Sequence, residues 1–160
     1  MLNRLNKIKP VWVELGLQTS NEKSAEYIRR CYENCVYEKA VKDLKAININ
    51  VITHIIIGLP NDDPVATTQY AAACGTDGVK FHLLHVLRGT DLEQEYRKGK
   101  FEVLSMEEYG SILKRCVAEL PEHIVLHRIT GDGAKRDLIA PLWSADKKRV
   151  LNYLNSILEK

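Results

Sequence analysis

The chain has 160 residues, 45% of them apolar, and carries 23 Lys and Arg against 21 Asp and Glu, a formal net charge of +2. That length and apolar content suit one domain with its own core, and so small a charge excludes a highly charged disordered chain without marking a nucleic-acid binder. No apolar run approaches the roughly 18 residues that cross a bilayer, and the polar start MLNRLNKIKP lacks a signal-peptide core, so a soluble cytoplasmic protein with no membrane contact is expected.

The first predicted element is a strand, VWVELGLQ (11 to 18), followed by the polar turn TSNE and a helical segment from about Glu22 to Ala46, broken near Cys31 to Asn34. VITHIIIG (51 to 58) is the second strand, an aliphatic run interrupted by His54 and stopped by Gly58, Leu59 and Pro60. Asp62 and Asp63 before Pro64 supply a capping carboxylate and a first-turn proline for a helix running towards Cys74. The third strand is VKFHLLHV (79 to 86). Alternation of strand and helix at this spacing predicts βαβ units and a parallel sheet. Beyond it come a charged loop with a short helix (88 to 104), a helix opened by the Ser105 and Glu108 capping-box pair, a fourth strand HIVLHRI (123 to 129), a glycine-containing loop TGDGAKRD (130 to 137) and a terminal amphipathic helix (144 to 160). No repeat or low-complexity linker divides these pieces, so one domain is expected.

Side chains two apart on a strand share a face. On the first strand Glu14, Gly16 and Gln18 oppose Val11, Val13, Leu15 and Leu17; on the second, His54 lies with Ile52 and Ile56; on the third, Lys80, His82 and Leu84 lie opposite Phe81 and Leu83. If helices cover the greasy faces, Glu14, Gln18, His54, Lys80 and His82 gather on the other side. Burying such groups alone costs several kcal/mol each, roughly 2 to 7 for a polar group, so they pair, bind a ligand or line a wet cavity. A polar lumen with ligand at the strand C-terminal ends is one reading; a paired cluster holding the sheet together, Glu14 with Lys80, is the other.

The four cysteines, 31, 35, 74 and 116, form neither a zinc-ribbon spacing nor a disulfide framework and read as reduced thiols. Cys31 and Cys35, four apart on a predicted helix, would share a face, but no further ligands stand at metal-site spacing.

ELGLQT, then THIIIGLP, then KFHLLHVLRGTDL, with HRITGD at 127 to 132 and APLW at 140 to 143, together resemble the second half of the radical S-adenosylmethionine (SAM) enzyme barrel. Closest is a bacterial subgroup related to the Elp3-like and coproporphyrinogen-dehydrogenase-like radical SAM proteins. The resemblance covers essentially the whole chain. It implies an α/β fold: a partial (β/α) barrel, strands four to six of a radical SAM (β/α)6 barrel over 1–104, with a C-terminal α/β extension over 105–160 packed on the same domain. It also implies SAM bound across the C-terminal edges of these strands. Gln18 would lie by the SAM moiety, Arg30 would pair with its carboxylate and His54 would face the ribose. Gly58, Leu59 and Pro60 would bring backbone near the adenine, with Leu83 and Leu84 giving apolar contact. Glu14, Lys80, His82, His127, Arg128, Asp132, Arg136 and Trp143 are candidate substrate or lumen residues. For the last five, a substrate-holding loop and a structural lid are equally open readings.

The family's defining CxxxCxxC, three thiolates that hold a [4Fe-4S] cluster, is absent: after C31-YEN-C35 come Val36, Tyr37 and Glu38. The chain therefore looks like the C-terminal half of such a protein, whether an expressed piece, a truncated gene or a split-gene product. The resemblance implies that the intact parent is an oxidoreductase using SAM and the cluster to make a 5'-deoxyadenosyl radical for hydrogen abstraction. This chain alone is expected to be inactive and to hold no metal. Its expected partners are the missing N-terminal half of the barrel, a second copy of itself through the open edge of the first strand, and either tRNA or a small-molecule substrate. The cations Arg88, Arg97, Lys98 and Lys100 beside Tyr96 and Phe101 offer the pattern of RNA contacts, but a solvated loop face accounts for them better given the near-neutral net charge. The alternative class is a non-catalytic α/β nucleotide- or ligand-binding domain, although neither a P-loop nor GxGxxG is present.

Overall fold

A computed structural model describes residues 1–131 and 133–159. It opens with a helix absent from the sequence-based prediction, α1 (Leu2–Ile8), none of whose residues is buried. Asn6 ties it down: its amide donates to the Asn48 carbonyl at 3.1 Å and its Oδ1 accepts from the Val11 amide at 3.0 Å.

Three strands follow, β1 (Trp12–Gln18), β2 (Asn50–Ile57) and β3 (Gly78–Leu83). They are joined by helices α2 (Glu22–Tyr27) and α3 (Asn34–Lys45), then α4 (Pro64–Ala73). Each helix starts where the local chemistry allows it. Asn21 accepts from the amides of Lys23 and Ser24 to cap α2, and Asp63 accepts from those of Val65 and Ala66 to cap α4, with Pro64 in its first turn. Both pairings, β1 with β2 and β2 with β3, are parallel, and they set Glu14 beside Ile52 and His54 beside Lys80.

The predicted third strand is shorter than VKFHLLHV. Its ladder stops at Leu83 because the neighbouring strand ends at Ile57, the residue opposite it. Val86–Leu87 instead forms β4, which pairs antiparallel with β6 (Leu138–Ala140). Between them lie α5 (Asp91–Arg97), α6 (Met106–Ala118) and β5 (Val125–Arg128). The Ser105 and Glu108 box closes reciprocally at the start of α6. β5 adds parallel to β3, so the main sheet runs β1-β2-β3-β5, and residues beyond 105 share its core. A single 3-10 turn (Leu142–Ala145) and α7 (Lys147–Leu158) end the described chain.

Helices cover one face of the sheet. Val51, Ile55 and Ile57, with Val79, Phe81 and Leu83, pack under Tyr37 and Val41 of α3, Ala71 of α4, Tyr109 and Leu113 of α6, and Leu154 of α7. Among the described residues no helix lies over the other face, which leaves Trp12 61% and Val125 57% exposed. Alternation along each strand sorts the residues in this way, the aliphatic set going inward because burying it releases about 25 cal/mol per Å². Among the described residues no helix is long and apolar enough to cross a membrane.

Candidate functional site

The uncovered face carries a polar row. Glu14 of β1 reaches across β2: its Oε1 accepts from Lys80 Nζ at 2.5 Å and its Oε2 from His54 Nε2 at 2.7 Å. As an acceptor of both, the Glu14 carboxyl is held down to about 2, first by the Lys80 hydrogen bond and then by that from His54. His82 stacks against His54 with ring centroids 4.9 Å apart. Burial, and then the nearby His54, Arg128 and Lys80, push the His82 imidazole down to about 4, so it is neutral at pH 7. Its Nε2 is buried and has no hydrogen-bond partner among the described residues.

The loop after β5 closes over the end of β3. A Cβ at Gly131 would stand 3.1 Å from His82 Nδ1, and one at Gly133 would stand 2.9 Å from the His85 ring, so the glycines of TGDG let backbone approach both histidines. Asp132, between them, lies outside the described residues. His127 lies on the same open face, its ring 2.6 Å from where a Gly78 Cβ would be.

Gln18 ends β1 at a bulge between Leu15 and Gln18, with a left-handed φ of 66°. Its amide lies over Gly16: a Cβ there would meet Nε2 at 2.7 Å. Simple alternation predicts the right face for Gln18 but not this folded-back position.

At the carboxyl ends of the strands the polar row gives way to an apolar cleft of about 350 Å³. Ile56, Leu59 and Leu84 form its floor, Tyr27 and Leu92 its walls. Two long-range contacts hold the walls together: Tyr27 donates to Glu95 at 2.6 Å, and Arg29 bridges to Asp91 at 2.5 Å. A neighbouring groove includes Gly58 and Pro60. Gly58 turns the chain out of β2 with φ 101°. The sequence reading assigned no role to Tyr27, Arg29, Asp91 or Leu92, because they meet only when α2 and α5 come together across more than 60 residues of chain.

Other predicted site residues stand elsewhere. Leu83 is in the core beneath the helices, since it shares the Phe81 face, and does not line the cleft. The Arg30 side chain is 2% exposed and is spent on its own loop. It donates to the carbonyls of Leu17, Thr19 and Tyr32, to Asn34 Oδ1 and to Glu22. It therefore locks the turn after β1, and it would reach a ligand carboxylate only if that turn opened. Trp143 packs on Tyr109 at 5.9 Å between centroids and donates to the Leu104 carbonyl at 2.9 Å, anchoring the 3-10 turn to the core. Arg128 is exposed at the end of β5, and Arg136 is exposed in the following loop.

Cys31 and Cys35 do not share a helix face: Cys31 precedes α3 in a left-handed conformation and only Cys35 is within it. Cys74 is half-buried and Cys116 buried. Among the described residues no three His, Cys, Asp or Glu side chains group to hold a metal, so the [4Fe-4S] cluster does not fit the thiols of this chain.

A parallel sheet with helices on one face, a polar open face and a cleft at the strand carboxyl ends has the layout of half an α/β barrel. The model of the Radical_SAM C-terminal domain family matches residues 76–160, more than half of the chain, and the chain belongs to that family. It is similar to YtqA of Bacillus subtilis (strain 168), 40% identical over an alignment of 161 positions that covers 99% of this chain and 50% of YtqA. A tRNA uridine(34) acetyltransferase of Methanocaldococcus jannaschii is 25% identical over 137 residues, 82% of this chain and 25% of that protein. The archaeal Methanocaldococcus infernus Elp3 with an N-terminal deletion (1-46) superposes with a TM-score of 0.74 at 20% identity. That match covers 97% of this chain and 38% of Elp3, a likeness of fold. The chain thus has the fold of the C-terminal half of a radical SAM barrel, lacks the CxxxCxxC motif, and spans half the length of YtqA.

Proposed function

We propose that this chain forms the carboxyl half of the cofactor and substrate chamber of a radical SAM enzyme that acts on tRNA. The observation that carries the cofactor reading is the apolar cleft at the strand carboxyl ends, which opens beside a row of hydrogen-bonding groups. Ile56, Leu59 and Leu84 would hold an adenine and exclude water from it, with the Gly58 to Pro60 turn bringing backbone close. His54, oriented by Glu14, and Gln18 would address the polar part of the cofactor. When bound beside a reduced cluster held by another segment, SAM supplies a carbon-centred radical that takes hydrogen from the substrate. The Glu14, Lys80 and His82 row would then line the substrate side of the chamber. The tRNA reading is supported by the name of the acetyltransferase relative; a small-molecule substrate is its rival within the same chemistry.

In an intact protein of this family, His54→Ala and Gln18→Ala are each expected to weaken SAM binding about tenfold, roughly 1.4 kcal/mol, while the cluster absorbance stays unchanged. Equilibrium dialysis of SAM measures it, and unchanged affinity in both variants would return the polar row to a purely structural role.

The open face and the free edge of β1 need a cover. We infer that the amino-terminal half of a barrel supplies it in a longer protein, and that a second copy of the chain does so when this chain is alone. Sedimentation equilibrium over a hundredfold range of concentration should show self-association of the isolated chain. A single monomeric species with β1 amides slow to exchange would count against both covers.

A further inference from the structure

The positive charge of the chain is not spread evenly. Residues 123–149 hold six Lys and Arg against three Asp and no Glu, leaving 17 basic and 18 acidic residues in the rest of the chain. The net charge of +2 therefore originates entirely in this stretch.

The fold lays much of that stretch along one border of the molecule. β5 is an edge strand, and α7 faces it across a groove of about 350 Å³. His127, Arg128 and Thr130 line the strand side, Lys147 and Asn155 the helix side, around Leu151, and no carboxylate is among the lining residues. Lys148 stands three residues before Leu151 and seven before Asn155, which puts it on the same face of α7. Arg128 and Lys148 are both exposed, and among the described residues neither has a carboxylate within ion-pair distance. Asp146 caps α7 by accepting from the Arg149 amide at 3.2 Å and forms no ion pair with either of them.

The segment that sequence composition offered for RNA contact behaves differently. Arg97 is bonded to Glu93 at 2.8 Å, Lys100 to Glu95 at 3.3 Å, and the rings of Tyr96 and Phe101 pack on each other at 5.8 Å. Arg97, Lys100 and both rings are thus engaged within the segment.

We propose that the β5–α7 groove is a docking surface for an RNA sugar-phosphate backbone, with Arg128 and Lys148 meeting phosphates from opposite walls. Asn155 supplies a neutral hydrogen-bonding group for a 2'-hydroxyl, and Leu151 gives the sugars an apolar floor. An RNA strand fits better than an acidic peptide because the groove pairs separated cations with an amide group rather than with pockets for side chains. Arg128 is in register with Lys80 of the open face, so a strand held in this groove leads towards the chamber. The inference rests on the tRNA reading above.

The test is fluorescence anisotropy of a labelled, unmodified tRNA transcript titrated with the chain from about 50 to about 200 mM salt. The double variant R128E/K148E should bind at least tenfold more weakly at the lower salt. Its log-log salt slope should flatten by about two, the number of phosphate contacts removed. The distant charge reversal K98E should leave both quantities unchanged, and circular dichroism checks that each variant is folded. If wild type binds tRNA and the double variant binds it equally well with the same slope, this groove is not the docking surface and the tRNA reading stands. If wild type binds no tRNA even at the lower salt, both are overturned. If polyglutamate of similar charge displaces tRNA one for one, the occupant is an acidic protein segment and the RNA assignment fails.

Discussion

Replacing His82 with glutamine is expected to remove most of the acid sensitivity of this fold between pH 6.5 and about 4.5. The imidazole is half-buried among His54, Lys80 and Arg128, with Glu14 the acid that opposes them, and it is held down to about 4 chiefly by burial. An unfolded chain takes up that proton near pH 6.5, whereas the folded chain does not until about pH 4. The unfolded state therefore binds more protons throughout this window, and stability falls as pH falls through it. The loss attributable to His82 between pH 7 and pH 5 is on the order of 2 kcal/mol. Urea midpoints at the two pH values measure it: wild type should lose this amount more than His82→Gln. Equal losses would mean that the histidine is solvated and titrates normally. Below about pH 4.5 the Glu14 carboxyl also costs stability, because the unfolded chain protonates it there while the fold holds it ionised down to about 2, so the His82 difference is read cleanly only above that pH.

Gly58→Val should separate strain from cleft closure when set beside Gly75→Val. Both glycines have left-handed backbones, φ 101° and 91°, where a β-branched residue is strained by about 1 to 3 kcal/mol. They differ in their surroundings. A Cβ at Gly58 would meet Leu104 at 3.3 Å and Leu84 at 3.5 Å, while one at Gly75 has nothing within 4 Å. Thermal denaturation should show both variants destabilised by comparable amounts. In an intact protein of the family, only Gly58→Val should also lower SAM affinity, by at least tenfold, because it displaces Leu84 or the 58 to 60 turn from the cleft. Equal SAM affinity in the two variants would remove that turn from the cofactor site.

Much of this molecule is legible before folding. Period-two alternation in VWVELGLQ, VITHIIIG and VKFHLL places Glu14, His54, Lys80 and His82 on one face, because a strand offers only two faces and the aliphatic set takes the buried one. Proline, asparagine and capping-box signals locate the starts of α2, α4 and α6 for equally local reasons. The order of those motifs was enough to indicate the family. Contacts across the chain were not legible. That Arg30 is consumed by five bonds within its own loop, that Leu83 turns inward while Leu84 floors a cleft, and that Val86 leaves the sheet for Ala140 all depend on where partners end in space. The same holds for charge. Counting cations along the sequence marked the α5 segment, yet two of them, Arg97 and Lys100, are paired with acids one helical turn or one loop away. The Arg128 and Lys148 pair emerges only once β5 and α7 face each other across the groove, since electrostatic surfaces are set by distances through space and not by separation along the chain.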